Sequence, residues 1–437
     1  MTRRSRIIGL AMLLFAGAVT TATILRSAVG PDDNAQRPAK ENWPQATGDW
    51  GNNRYSALSQ INTDTVKNLG AAWVSDKFDD AAASRVTPVV HDGLMFLTAS
   101  DKVYALDAKT GKTVWKYQTQ GVPLAVTGMN GNTRARGIPN WQGVAVAEGK
   151  VFVALTDAQM YALNEKTGTL VWRCNVGNVK ANERGGISAV PVYVNGVLYT
   201  GLVFGEGRYI GQAIALDAKD GHELWHWSSI PGPGEPGHNT WTEDPKNNTW
   251  KMGGADVWQT PVVDQDLGLI FYGTGNPSPN RVGNVRPGDN LYSCSVVALD
   301  MKTGKMKWYF QVAHHDFWED DIATPIIAYD SQFNGKPVHG IGVMRPDGTL
   351  FVLDRASGKP IWPVEERHVR QSALYMTAAT QPFPKGHGSF IERDCSHWQP
   401  PVGFIARCEF FHAPSDDPPN VLTYAPTTRS APMSYDP

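Results

Sequence analysis

The hydrophobic and polar positions follow one repeating plan. ALDAKTGKTVW at 105–115, ALNEKTGTLVW at 162–172, ALDAKDGHELW at 215–225, ALDMKTGKMKW at 298–308 and VLDRASGKPIW at 352–362 share one frame. Each joins an apolar alternation to a Gly-containing turn and a second strand that closes on Trp, the pattern of a β-hairpin. Further strand patterns lie between the copies, including TPVVHDGLMFLTAS at 87–100, GVAVAEGKVFVALT at 143–156 and VPVYVNGVLYTGLV at 190–203. Successive copies begin 57, 53, 83 and 54 residues apart, the length of four short strands with turns, so each unit reads as one propeller blade. The longest step holds SSIPGPGEPGHNTWTEDPKNNTW at 228–250, whose Pro, Gly and Asn predict an inserted loop. The repeated Trp115, Trp172, Trp225, Trp308 and Trp362 are expected to pack between blades. The expected fold is an all-β propeller of which five to six blades are present.

Composition agrees with this plan. The 437 residues are 41% hydrophobic, with 43 Gly and 30 Pro for many turns. The net charge is -2, with no basic stripe, which excludes nucleic acid as an expected partner. Arg3, Arg4 and Arg6 precede an apolar run from Ile7 to Leu25, so residues 1–30 read as a cleaved signal peptide or a retained membrane anchor, and the destination as the periplasm. The propeller domain is expected over 43–437. Of the four cysteines, Cys395 and Cys408 lie close enough in sequence to be bridged after export, whereas Cys174 and Cys294 fall in or near strand patterns and read as buried thiols. No C-x-x-C-H is present, so no haem c is attached within this chain.

The segments outside the repeat carry the candidate chemistry. DWGNNRYSALSQINTDTVKNLGAAW at 49–73, GTGNPSPN at 273–280, RPGDN at 286–290, HDFWEDD at 315–321, PVEER at 363–367 and TQPFP at 380–384 together resemble the pyrroloquinoline quinone (PQQ)-dependent alcohol dehydrogenases, the last two being similar to the glucose and polyol branch. The resemblance implies an eight-bladed propeller type, with PQQ on its axis and a metal ion, Ca2+ or a lanthanide, at the quinone. Eight units of about 55 residues, with the inserted loop and the segment before the propeller, need about 500 residues or more, so missing carboxy-terminal blades or a second fragment are expected. It implies Glu206 and Asn276 as metal ligands and Trp258 as the aromatic floor. Ser188 stands where the family often has a Thr that bonds a PQQ carboxylate. Glu319 occupies the place of the catalytic Asp and of a metal ligand, Asp320 is the alternative base, and Asp321 matches an acidic residue of lanthanide-using members.

At several positions the chain departs from the family. Gln142 replaces an Arg that usually binds a PQQ carboxylate, Arg85 stands where a Glu lies near the cofactor, and Arg345 is one place from a Lys or Arg. Arg85 and Arg345 either replace the cation lost at 142 or are surface arginines. The family's adjacent cysteine pair is absent. His314 and His315, as neighbours on a strand, point to opposite faces and do not grip one ion, so His315 is expected to orient its loop. Asp157 reads either as a cofactor contact or as a turn residue.

The chemistry accounts for these residue types. A hard cation takes carboxylate and amide oxygens and polarises the quinone carbonyl, a carboxylate takes the alcohol proton, and a flat indole holds the ring. The expected activity is oxidation of an alcohol, polyol or sugar, with cytochrome c or ubiquinone as electron acceptor. The competing reading is a non-catalytic propeller that serves as an envelope scaffold, its acidic run a solvated turn.

Overall fold

The structure is a computed structural model. It describes Ala39 and residues 41–78, 86–99, 102–118, 143–154, 158–177, 186–203, 209–241, 248–386, 389–390, 396, 398–409, 411–413, 416–423 and 433–436, with the backbone of 125–127 and 133–135. The leader at 1–30 and Arg85, Gln142, Asp157, Glu206 and Cys395 lie outside the described residues. No helix among the described residues is long and apolar enough to cross a membrane.

Four antiparallel sheets of four consecutive strands follow one another, as the repeats predict. The first comprises Val89–His91, Leu94–Ala99, Lys102–Asp107 and Thr113–Gln118; the second Ala145–Ala147, Lys150–Ala154, Gln159–Asn164 and Leu170–Asn175. The third comprises Val192–Val194, Val197–Leu202, Gln212–Asp217 and Glu223–Ser228; the fourth Val262–Asp264, Leu269–Gly273, Ser295–Asp300 and Met306–Gln311. A fifth sheet has three strands, Ile327–Phe333, Lys336–Met344 and Leu350–Asp354. The first strands of the first four sheets are three residues long and mainly apolar, while the fourth strands are largely exposed or half-buried, as in Leu170–Asn175. Apolar clusters fill the spaces between successive sheets: Phe96 with Val151 and Tyr161, Phe152 with Leu198 and Ile214, Tyr199 with Ile270 and Val297, and Phe271 with Ile341 and Phe351. These are the blades of a propeller, each burying its face on the next.

The repeat motif explains how one blade grips its neighbour. Each of the first four motifs forms the third strand, a turn and the start of the fourth strand, with the motif Ala opposite its Trp, as in Ala105 and Trp115 or Ala298 and Trp308; the fifth forms a third strand and its turn. The motif Asp or Asn caps its own turn: Asp300 Oδ1 accepts from the N–H groups of Lys302 and Thr303. The indole N–H of one repeat then donates to a carbonyl in the next, Trp115 to Glu165, Trp172 to Ala218, Trp225 to Met301 and Trp308 to Arg355. The turn glycine of the second repeat lies flat against that indole; a Cβ on Gly304 would fall 2.6 Å from the Trp225 ring. Only Gly fits both this contact and the left-handed φ of 67°. Trp73, outside the five motifs, joins the series by donating to Ala108 O. Trp362 departs from it, donating to Lys385 O across the strands Val364–His368 and Thr380–Pro384.

A strap at 43–54 crosses all five sheets. Trp43 exchanges backbone hydrogen bonds with Val90, Pro44 O accepts from Val146, and the Trp50 indole donates to Tyr193 O. Trp50 O accepts from Val263 N, Gly51 O accepts from Ala328 N, and Asn52 donates to Thr260 O and Ile326 O. DWGNNR thus ties the entry points of successive blades.

Candidate functional site

Three connections converge beside the fourth sheet: residues 253–261 before its first strand, 274–294 between its second and third strands, and 312–326 between its last strand and the fifth sheet. Close backbone approach joins the first two. Ala255 N donates to Asn276 O at 2.7 Å and Gly275 N to Asp256 O at 2.8 Å. Gly254, with φ 93°, permits this, because a Cβ there would lie 2.5 Å from Ser278 N.

The structure brings several expected residues together. The backbone N–H of Asn276 donates to Asp321 Oδ1 at 2.6 Å, so the turn that carries the expected amide ligand and one carboxylate of the acidic run meet across 45 residues of sequence. Ser188 Oγ donates to Trp258 O at 3.2 Å, and Trp258 lies two residues from Asp256. Trp258, Ser188, Asn276, Asp320 and Asp321 are all between 4% and 8% exposed, which rules out the acidic run as a solvated turn. Cys294 is fully buried nearby, and burial first, then Asp316, Asp321 and Asp320, push its thiol well above the ordinary range. Among the described residues the candidate donors are amide and carboxylate oxygens, and the Cys294 thiol is held neutral. That set fits a hard cation.

Two expected residues are placed differently. Glu319 has a left-handed φ of 66°, and its carboxylate accepts from Asn280 Nδ2 at 2.9 Å and Arg281 Nε at 3.1 Å. It is the Asp321 carboxylate, two residues on, that meets Asn276. Arg345 requires a correction. It is neither a surface arginine nor an open cofactor donor: it is fully buried and donates to Val312 O, Pro382 O, Asp347 and Thr349. Phe351, Phe383 and Phe411 surround its guanidinium with centroids 5.4, 5.0 and 4.7 Å away. Burial would raise Asp347, but the Arg345 charge and the Thr349 hydrogen bonds outweigh it and hold the carboxyl below its ordinary range.

The two histidines do separate, but they lie in a turn and not on a strand, with His315 at a left-handed φ of 44°. His314 bonds Gln311 and Glu366, whereas His315 Nδ1 meets Gly288 O at 2.6 Å. Burial first, then the Arg286 charge, lower the His315 pKa, so the ring is neutral and its Nδ1–H fastens 315–321 to the RPGDN turn. Asp316 has no role in the sequence reading, yet it is fully buried and its Oδ1 accepts from Trp318 N at 2.9 Å and Asp320 N at 3.1 Å. Trp318 in turn donates to His412 O at 3.0 Å and packs edge-on against Phe411.

Fold and site together define a class: a β-propeller whose connections carry buried oxygen donors and a buried indole. Residues 43–399 match the β-propeller domain of the PQQ glucose/ethanol/alcohol dehydrogenases, and the chain belongs to that family. It is 34% identical over 357 residues to the quinohemoprotein alcohol dehydrogenase of Comamonas testosteroni, covering 78% of this chain and 49% of that protein. It is likewise 34% identical over 382 residues to the quinoprotein alcohol dehydrogenase PedH of Pseudomonas putida, covering 82% and 61%. The solved Comamonas testosteroni structure superposes with a TM-score of 0.66, covering 79% of this chain and 52% of that one; a europium-containing methanol dehydrogenase gives 0.64 at 28% identity, covering 75% and 58%. The chain thus spans between about half and three fifths of the length of these relatives.

Proposed function

We propose that this chain carries the cofactor-binding blades of a PQQ-dependent dehydrogenase that oxidises an alcohol, polyol or sugar. The observation that carries this reading is the buried bond from the Asn276 backbone N–H to the Asp321 carboxylate, with Trp258 and Ser188, themselves buried and bonded to each other, carried by the neighbouring connections. Asn276 and Asp321 would hold the metal with Glu206, which the family resemblance adds; Trp258 would support the quinone, and Ser188, Gln142 and Arg85 would meet its carboxylates. When bound, PQQ accepts a hydride and the metal polarises its carbonyl. The metal is Ca2+ or a lanthanide, the latter suggested by the lanthanide-dependent methanol dehydrogenase of Methylorubrum extorquens, 31% identical over 331 residues.

Of the two carboxylates proposed as base, Asp320 is favoured, because Glu319 is held by Arg281 and Asn280. Asp320 is 7% exposed, in a setting where a carboxylate oxygen can take the substrate hydroxyl proton away from bulk water. Electrons would pass to cytochrome c or ubiquinone, in the periplasm, after export directed by residues 1–30.

The test is dye reduction with an alcohol, polyol and sugar panel after loading with PQQ and either Ca2+ or La3+. Turnover that Asp320→Ala abolishes and Glu319→Gln leaves within about tenfold supports the assignment. Failure to retain PQQ with either metal favours the scaffold reading.

A further inference from the structure

The two connections that carry Asn276 and Asp321 contain no strand and meet directly at Asn276 N–Asp321 and Ile322 N–Thr274 O; a buried side chain adds a second tie. Arg286 joins them. It is fully buried, and its head group serves four acceptors. Nε donates to Pro279 O at 2.8 Å, Nη1 to Asn290 Oδ1 at 2.6 Å, and Nη2 to Asn280 O at 2.6 Å and to Asp316 O. Pro279 and Asn280 end the turn that begins at Asn276, while Asp316 opens the stretch that ends at Asp321.

A planar guanidinium presents its donors in a fixed fork and so sets the distance between the carbonyls it bridges; an ammonium does not. Asn290 fixes the fork from behind, its Nδ2 donating to Arg286 O at 2.9 Å and to Thr240 O at 3.2 Å. Asp316 extends the constraint by winding the chain around Glu319 through its bonds to Trp318 N and Asp320 N.

We propose that Arg286 is a positioning residue for the metal site: by yoking the Asn276 turn to Asp316, it sets the spacing between Asn276 and the carboxylates at 320–321, and hence the affinity for the ion. This rests on the metal-site reading above. It assigns a task to the RPGDN turn that the sequence alone leaves without one. Partners that orient metal ligands without touching the metal typically govern about 10- to 100-fold in affinity.

The experiment is a Tb3+ titration of the full chain, read by Trp-sensitised luminescence and emission lifetime, beside thermal melts. Arg286→Lys should melt cooperatively, bind Tb3+ at least about tenfold more weakly, and show a shorter lifetime as water replaces a displaced ligand. Arg345→Lys, equally buried but engaged elsewhere, should lower the melting temperature with Tb3+ affinity unchanged. Should Arg286→Lys not fold, Asn290→Gly decides: Gly keeps the left-handed backbone of Asn290, φ 58°, and removes the Oδ1 acceptor together with the Nδ2 bonds to Arg286 O and Thr240 O, so binding at least about threefold weaker is expected from release of the Arg286 fork. Wild-type affinity and lifetime in Arg286→Lys, or in Asn290→Gly where that variant decides, would overturn the inference. So would equal weakening in Arg286→Lys and Arg345→Lys. Absence of Tb3+ binding by the unmodified chain would overturn the metal-site reading itself, and the inference with it.

Discussion

Gly304→Ala measures what one blade contact contributes. Gly304 has φ 67° and would place its new Cβ 2.6 Å from Cε3 and 2.8 Å from Cδ2 of Trp225. A left-handed Ala costs about 1 kcal/mol. Relief of the clash moves the indole off Met301 O, which accepts its N–H at 2.9 Å, for about 1 kcal/mol more, and repacking the ring adds about 1 to 2 kcal/mol. The expected cost is about 3 to 4 kcal/mol, summed from the same effects. Gly196→Ala is the control. It has φ 86° with nothing within 4 Å of a new Cβ, so it should cost only about 1 kcal/mol of backbone strain. Urea unfolding followed by Trp fluorescence, compared at a common slope, should separate the two by about 2 kcal/mol or more. Equal midpoints would show that the glycine–indole contact does not join the blades.

Three more outcomes follow from particular side chains. Trp73→Phe removes the N–H that donates to Ala108 O and should cost about 1 kcal/mol in the same unfolding assay. Asp347 is held below its ordinary value of 3.8 beside Arg345, so its contribution is present above that pH and lost as pH falls through the folded value. Asp347→Asn should therefore cost about 3 kcal/mol at neutral pH, with the gap to wild type closing below about pH 4 in acid titrations of stability. Burial pushes the Cys174 thiol up to about 11 and Cys294 well above the ordinary thiol range, so iodoacetamide at pH 8 should label neither until the chain is unfolded, as peptide mapping by mass spectrometry would show.

The blades were legible because the repeat encodes its own geometry. Asp or Asn to cap the turn, Gly for positive φ and Trp to close recur where local chemistry needs them, so hairpins follow without knowledge of the neighbours. Trp73 escaped that reading because AAWVSD lacks the preceding turn, and its partner Ala108 is 35 residues away. Trp362 fits the motif yet packs differently, because its indole N–H is taken by Lys385 O and not by a following repeat.

At the site, the residue types at 258, 276 and 319–321 could be read from the motifs, but the direction of each carboxylate could not. Glu319 and Asp321 are two residues apart, and the left-handed turn at 319 decides which one meets Asn276. Arg286 and Asp316 were harder still, since a bridge between two loops has no local signature. Arg345 did carry a local sign: in RPDGT, Asp347 and Thr349 lie within its reach and hold the guanidinium.

A crystal structure of the full chain with PQQ and Eu3+, phased on the europium anomalous signal, tests the central claim most directly. The account predicts one strong peak bonded to Asn276 Oδ1 and to an Asp321 oxygen, with the quinone lying on the Trp258 indole. A peak confined to surface carboxylates, with no PQQ over Trp258, would contradict it.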